Sequence, residues 1–217
     1  MTAVVVQSKH NGGLSLETIA VTFDTTPTVG NAVIVMAMSS SNPPPVLSVT
    51  DNQGNSYQRD VEVRDQFLAG ALSARVNVAS GAFTVTLAST GTSDLFVCYI
   101  LEVSGLDLTL DVVQHNGATS GAYDTLTSAA TIYADELVIA ACFPNSLGAT
   151  PVPENAPPYI DIGPDSSFLV NDCVYKVVSA TGTQRETWTG SGGITTYQAL
   201  LVTYKVTDPP FMMSSVS

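Results

Sequence analysis

Trp188 is the first candidate for a binding residue, because exposed aromatic rings can stack on sugar rings. It is the only tryptophan of the chain and stands in a polar, glycine-rich segment, residues 186–193. Tyr123 and Tyr197 could extend such a platform, and so could Tyr159. These residues suggest glycan binding, although a lone tryptophan in a β-sandwich more often belongs to the core.

A second candidate site is the segment DNQGN at residues 51–55, whose oxygen ligands resemble those of a calcium loop. The segment lacks the further acidic positions and the bidentate Glu of an EF-hand. A tight turn with Gly54 at positive φ explains the same residues. Calcium could still bind between loops through Asp24, Asp111 or Asp161. No cofactor is predicted, and a structural calcium ion stays an open alternative.

Residues for catalysis are few. The only histidines are His10 and His115, and neither G-x-S-x-G nor H-E-x-x-H occurs. Glu102 and Glu136 could form a carboxylate pair, but 19 acidic residues give many accidental pairs. The cysteines and histidines lack the short paired spacing of a zinc site. We therefore predict that the protein is not an enzyme.

The three cysteines, Cys98, Cys142 and Cys173, lie far apart in apolar runs. Their odd number argues against a disulfide framework, and free cysteines usually behave as small buried hydrophobic residues. They favour a protein made in a reducing cytoplasm.

The charge balance excludes some partners. Seven Lys and Arg against 19 Asp and Glu give a net charge of −12. Nucleic acids and anionic membranes attract basic proteins, so we expect neither as a partner. The start of the chain does not read as a signal peptide, and no apolar run approaches the length of a transmembrane helix.

The elements that must position these residues are strands. The chain contains 27 Val and 25 Thr, close to a quarter of its 217 residues, and β-branched residues favour strands. Residues 31–38 and 135–142 are almost continuously apolar, which predicts central strands covered on both faces. No amphipathic helix is predicted. Period-two alternation between turn signals predicts strands at residues 3–8, 17–23, 31–39, 46–50, 56–63, 68–78, 82–88, 94–103, 110–115, 135–143, 168–179, 183–189 and 196–206.

Two segments fall outside this pattern. Residues 144–167 contain six prolines and cannot pair continuously in a sheet, yet they carry Tyr159 and Ile160. Residues 208–217 form a C-terminal tail that contains Phe211, Met212 and Met213. These five apolar residues are candidates for docking on a partner, while the tail could instead fold back on its own sandwich. We expect residues 1–207 to form a single β-sandwich.

Several segments occur in an order that carries a family resemblance. They are VTF at 21–23, PTVGNAVIV at 27–35, SVTDNQGNSY at 48–57, LEVSGL at 101–106 followed by Leu110 and Asp111, ADELV at 134–138 and ALLVTYK at 199–205. Together they resemble a jelly-roll-like β-sandwich module of bacterial extracellular proteins and phage structural proteins. The resemblance covers about residues 17–206 and implies an antiparallel sandwich without a catalytic signature.

The resemblance leads to two functional expectations. The first is a non-enzymatic structural protein of a phage or phage-like virion, such as a head decoration protein or tail appendage. Its partners would be other virion proteins or copies of itself, and it would be made in the host cytoplasm. The second is a carbohydrate-binding or adhesive module, and the two coincide if a virion protein also contacts host glycans.

Overall fold

The computed structural model describes residues 2–40, 47–65, 68–93, 95–119, 122–144, 151–154, 159–163, 171–190 and 196–207. Within these ranges the protein contains only strands and turns, and every strand pairing is antiparallel. The predicted all-β antiparallel class is confirmed. The described part of the chain contains no helix with the length and hydropathy needed to cross a membrane.

The first half of the chain forms eight strands in two sheets. The strands are β1 (Val4–Gly13), β2 (Leu16–Thr22), β3 (Ala32–Ser39), β4 (Leu47–Asp51), β5 (Gln58–Arg64), β6 (Leu68–Arg75), β7 (Thr84–Ser93) and β8 (Phe96–Ser104). The large sheet has the order β1-β8-β3-β6-β5 and the small sheet the order β2-β7-β4. We call this half the first sandwich.

The second half repeats this arrangement. Its strands are β9 (Leu106–Ala118), β10 (Tyr123–Asp124), β11 (Asp135–Pro144), β12 (Pro151–Pro153), β13 (Ile160–Asp161), β14 (Asp172–Ser179), β15 (Thr187–Gly190) and β16 (Tyr197–Val206). The sheets have the orders β9-β16-β11-β14-β13 and β10-β15-β12, which are those of the first half with eight added to every strand. We call this half the second sandwich.

Equivalent details support an internal repeat. His10, Asn11 and Gly12 of β1 pair with Tyr99, Cys98 and Val97, and the same three residue types of β9 pair with the equivalent positions of β16. The side chain of Asn11 donates to the carbonyl of Ala20 in β2 at 3.0 Å. In the same way, Asn116 donates to the carbonyl of Asp124 in β10 at 3.0 Å. Both edge strands also carry a bulge at the same place, near Val6 in β1 and Asp111 in β9.

Three apolar clusters divide the molecule into four layers. The central cluster lies between the two large sheets, and Ile34, Tyr99, Ile139 and Val202 belong to it. A second cluster lies between the large and small sheets of the first sandwich, and a third occupies the equivalent place in the second sandwich. The sequence predicted one sandwich over residues 1–207, whereas the strands form two sandwiches that share the central cluster.

The large sheets are covered on both faces, so the residues of their central strands are buried. All eight residues of β3 are buried, as are all residues of β11 after Asp135. Alternate side chains of β3 enter the central cluster and the cluster of the first sandwich. The prediction that the two nearly continuous apolar runs are central strands is therefore confirmed.

The strand order does not confirm a jelly-roll topology, which stays a prediction. A jelly roll divides eight strands between two sheets through Greek-key connections. Here each half divides them five to three, because β5 pairs with β6, and β13 with β14, at the edge of the large sheet.

Candidate functional site

The aromatic residues predicted to bind glycans lie in the core of the second sandwich. Trp188, Tyr123 and Tyr197 are each 1% exposed. The rings of Tyr123 and Tyr197 pack edge to face, with centroids 5.2 Å apart. Tyr123 also fills the space beside Gly190, where a Cβ atom would lie 2.6 Å from the ring. Sugar stacking needs an exposed ring face, so these three residues do not form the expected platform, and Trp188 has the core role that was the alternative.

Trp188 instead belongs to a cluster with two carboxyl groups, of which Asp172 is buried and Asp161 is exposed. Its Nε1 donates to Oδ2 of Asp172 at 2.7 Å, and Asp172 is fully buried at the start of β14. Asp161 of β13 lies nearby and accepts a hydrogen bond from the backbone N–H of Gly163 at 2.5 Å. Burial, reinforced by the carboxyl of Asp161, raises the pKa of Asp172 to about 7 against the opposing effect of the Trp188 hydrogen bond.

Tyr159 lies beside the same core and not on the surface. It is 4% exposed, its hydroxyl donates to the carbonyl of Arg185 at 3.4 Å, and the Nζ of Lys176 stands 4.2 Å from the ring centroid. Burial lowers the pKa of Lys176, and the charge of Glu186 opposes that shift. These contacts remove Tyr159 as a residue for partner docking, because its ring is already covered within the chain.

Ile160, the neighbouring candidate, is exposed on β13 and stays available for a partner. Phe211, Met212 and Met213 lie outside the described residues.

The segment at residues 51–55 is a turn. Gly54 has a φ of 83°, and Oδ1 of Asp51 accepts the backbone N–H groups of Gln53 and Asn55. The other oxygen of Asp51 accepts hydrogen bonds from the side chains of Asn55 and Tyr57. The carboxylate of Asp51 is thus used within the turn, as the alternative interpretation predicted.

The other proposed calcium ligands do not meet one another. Asp24 is exposed and pairs with Lys9 at 2.8 Å, whereas Asp161 belongs to the Trp188 cluster. Asp111 of β9 accepts the backbone N–H of Ile132 at 2.6 Å and lies near Glu136. Among the residues that the structure describes, no group of three or more His, Cys, Asp and Glu side chains could hold a metal ion.

The candidate catalytic residues are also separated. Glu102 lies on β8 and Glu136 on β11, and both alternate with side chains of the central cluster, so each faces the outer small sheet of its own sandwich. His10 packs against Tyr99 at a centroid distance of 5.3 Å, and Nδ1 of His115 lies 2.7 Å from Oδ2 of Asp65. The structure therefore brings together neither the carboxylate pair nor the histidines.

The three cysteines are free and buried, as expected from their apolar runs. Burial raises the pKa of the Cys98 thiol to about 12, and it also raises those of Cys142 and Cys173. A thiol with a raised pKa is a poor nucleophile at neutral pH.

A groove of about 370 Å³ opens between β4 and β5. Its walls include Leu47, Val49, Tyr57 and Leu72, and Arg59 is the one charged residue of the lining that the structure describes. The guanidinium of Arg59 donates to the carbonyl of Leu47 at 2.6 Å and pairs with Glu62 at 3.0 Å. The charge of Arg59 is thus already used within the chain.

Exposed apolar side chains form a pattern that sequence reasoning missed. Within the described strands, the exposed large hydrophobic residues are Val4, Val6, Val152, Ile160 and Val177. The first four lie on the edge strands β1, β12 and β13. Val177 lies on β14 beyond the two residues that β13 covers. The sequence shows these residues as ordinary apolar positions, because edge and centre are decided only by long-range pairing.

The comparisons with known proteins add no relative: no family model matches the chain, and neither a curated protein nor a solved structure matches it.

Proposed function

We propose that the protein is a non-enzymatic structural component of a phage or phage-like virion, such as a head decoration protein or a tail appendage. It would act through contacts with copies of itself or with other virion proteins. The observation that carries this proposal is the position of the exposed apolar side chains on sheet edges.

Edge strands are natural places for protein contacts. An edge presents unpaired backbone N–H and C=O groups, which can pair with a strand of another chain, and soluble proteins usually protect such edges with charges. Among the described strands, β1 pairs with β8 alone, and its first four residues, Val4 to Gln7, carry no charge. This end of β1 therefore combines free backbone groups with apolar side chains.

The net charge of the molecule fits a protein that binds its partners through apolar and backbone contacts. A net charge of −12 makes copies repel one another at a distance, which keeps the free protein soluble. Apolar and backbone contacts act only once surfaces meet. An acidic protein with apolar edges is thus suited to remain dispersed until it reaches its place in a particle.

A pair of charge variants tests the proposal. Val4→Lys with Val6→Lys places two cations on the edge of β1, whereas Val29→Lys with Val78→Lys makes the same charge change in turns of similar exposure. Each variant is expressed in a producing culture, and particles are separated on a density gradient. We expect the particle-bound fraction of the β1 variant to be at least tenfold lower than that of the wild type. The turn variant should keep the wild-type fraction. Equal incorporation of both variants, with both folded by circular dichroism, would count against the edge as the contact surface.

A further inference from the structure

The first sandwich contains a fully satisfied buried carboxylate. Glu102 is 1% exposed. Its Oε1 accepts the side-chain amide of Asn31 at 2.6 Å and the backbone N–H of Thr28 at 2.8 Å. Its Oε2 accepts the side-chain amide of Gln7 at 2.6 Å. Two neutral amides and one backbone N–H therefore compensate a single negative charge.

The equivalent place in the second sandwich has a different composition. By strand register, Thr203 of the second sandwich is equivalent to Glu102 of the first. In the same way, Glu136 is equivalent to Asn31. Asp111 belongs to the bulge of β9 that is equivalent to the bulge of β1, and it accepts the backbone N–H of Ile132 from the turn before β11. Two carboxyl groups and a hydroxyl thus replace one carboxylate and its amide donors.

Among the described residues, no amide and no cationic group donates to Glu136. It is fully buried, and neither of its carboxylate oxygens makes a hydrogen bond of good geometry. Asp111 and Thr203 are nevertheless close enough to act on it: its pKa is raised to about 8, chiefly by burial and then by Asp111, while Thr203 opposes the shift. A buried, unpaired carboxylate beside a second carboxylate is costly unless a proton or a cation neutralises the pair.

The cationic residue across from Glu136 contacts an acidic and an aromatic residue. Lys205 stands opposite Glu136 in the strand register. Its Nζ lies 4.0 Å from Oδ2 of Asp107 and 5.1 Å from the ring centroid of Tyr133. Thr203 offers only a neutral hydroxyl: its Oγ1 accepts the backbone N–H of Val112 at 3.0 Å, and its O–H can donate to a carboxylate but carries no positive charge.

We propose that Glu136, Asp111 and Thr203 bind a divalent, oxygen-preferring cation of the Ca²⁺ class. Carboxylate and hydroxyl oxygens are the ligands that this class of ion takes, with water completing the coordination. Asp111 is half-buried, so water can reach the cluster from its side. The ion would join β9, β11 and β16, the three strands at one side of the second large sheet.

Thermal unfolding with Ca²⁺ as the probe tests this site. We expect the Tm of the wild-type protein at pH 7.5 to rise by about 5–10 °C between excess EDTA and a Ca²⁺ concentration about a hundred times Kd. Isothermal titration with CaCl2 should give one site per chain. Glu136→Gln introduces the neutral amide that the first sandwich has at Asn31 and should abolish both signals. Asp24→Asn, the same charge change at an exposed ion pair, should leave them intact.

Two results would overturn the proposal. The first is a wild-type protein that neither binds Ca²⁺ nor gains stability from it, which would mean that the pair holds a proton instead. The second is a calcium signal that survives in Glu136→Gln. If Glu136→Gln does not fold, Asp111→Asn serves as the second variant, with loss of the titration heat expected and retention of that heat contradicting the site.

Discussion

At the scale of single residues, the second sandwich contains two pairs of neighbouring carboxyl groups, and one group of each pair is buried. Asp172 is held beside Trp188 and Asp161, and Glu136 lies beside Asp111. In the first sandwich the position equivalent to Asp172 is Gly70, and the position equivalent to Trp188 is Leu87. The second sandwich thus carries a tryptophan and a carboxyl group at positions where the first has a leucine and a glycine.

These groups make stability depend on pH. The pKa of Asp172 is about 7 in the folded protein against an ordinary value of 3.8, so between these pH values the folded state binds more protons than the unfolded state. The contribution of Asp172 to the free energy of unfolding must then fall as pH rises from about 4 to about 7. In EDTA, we expect urea denaturation to show greater stability at pH 5 than at pH 7.5.

Asp172→Asn isolates the contribution of this pair. The amide cannot ionise and can still accept the hydrogen bond from Trp188, so the variant should have a flatter pH profile than the wild type. Asp24→Asn serves as the control because Asp24 is exposed and paired with Lys9. A wild-type slope in Asp172→Asn would show that the Asp161–Asp172 pair does not titrate in this range.

At the scale of elements, the central strands β3 and β11 hold the two sandwiches together. Ile34 and Ile139 occupy equivalent positions on them and belong to the same central cluster. Truncation of either side chain to Ala removes buried apolar atoms and leaves a cavity. We expect each variant to lose about 2–5 kcal/mol of the free energy of unfolding in urea titrations.

Val78→Ala is the matched comparison, because Val78 lies in an exposed turn, and its cost should stay within about 0.5 kcal/mol. A loss confined to one of the two isoleucine variants would argue against a shared central cluster.

Periodicity predicts strands of this kind well and short strands poorly. Both continuous apolar runs and most alternating runs form strands in the structure. Their patterns follow from whether one or both faces of the sheet are buried. The two-residue strands β10 and β13 and the three-residue β12 were not predicted. A strand of that length has no readable period, and its pairing depends on β14 and β15, which are distant in the sequence.

The same limit applies to the candidate site. Trp188 and Tyr123 could be recognised as aromatic, but their burial depends on the small sheet that β10 and β15 form. The polar cluster of Asp111, Glu136 and Thr203 joins residues from three strands, and no local motif marks it. Such a site becomes visible only when the strand registers are known.

At the scale of the whole molecule, the protein is a tandem repeat in which two sandwiches are packed through their large sheets. One sequence signal for the repeat was present, since residues 10–12 and 115–117 both read His-Asn-Gly. The rest of the repeat is hidden because equivalent core positions differ in size, as Met36 and Ala141 do. A core tolerates such exchanges when neighbouring side chains compensate the volume.

The shared cluster predicts cooperative unfolding. Separation of the two sandwiches would expose the apolar faces of both large sheets, so neither half should persist when the other unfolds. We expect a single transition in urea, coincident by tryptophan fluorescence, which reports on Trp188 in the second sandwich, and by far-UV circular dichroism, which reports on all strands. Two separated transitions would contradict this coupling.

The proposed role as a virion structural protein is tested most directly by quantitative mass spectrometry of particles purified on a density gradient from a producing culture. We expect peptides of this chain to sediment with the particles, at a fixed copy number relative to the major particle protein. That ratio should stay constant through further rounds of purification. Peptides found only in the soluble fraction, or a ratio that falls towards zero with each round, would contradict it.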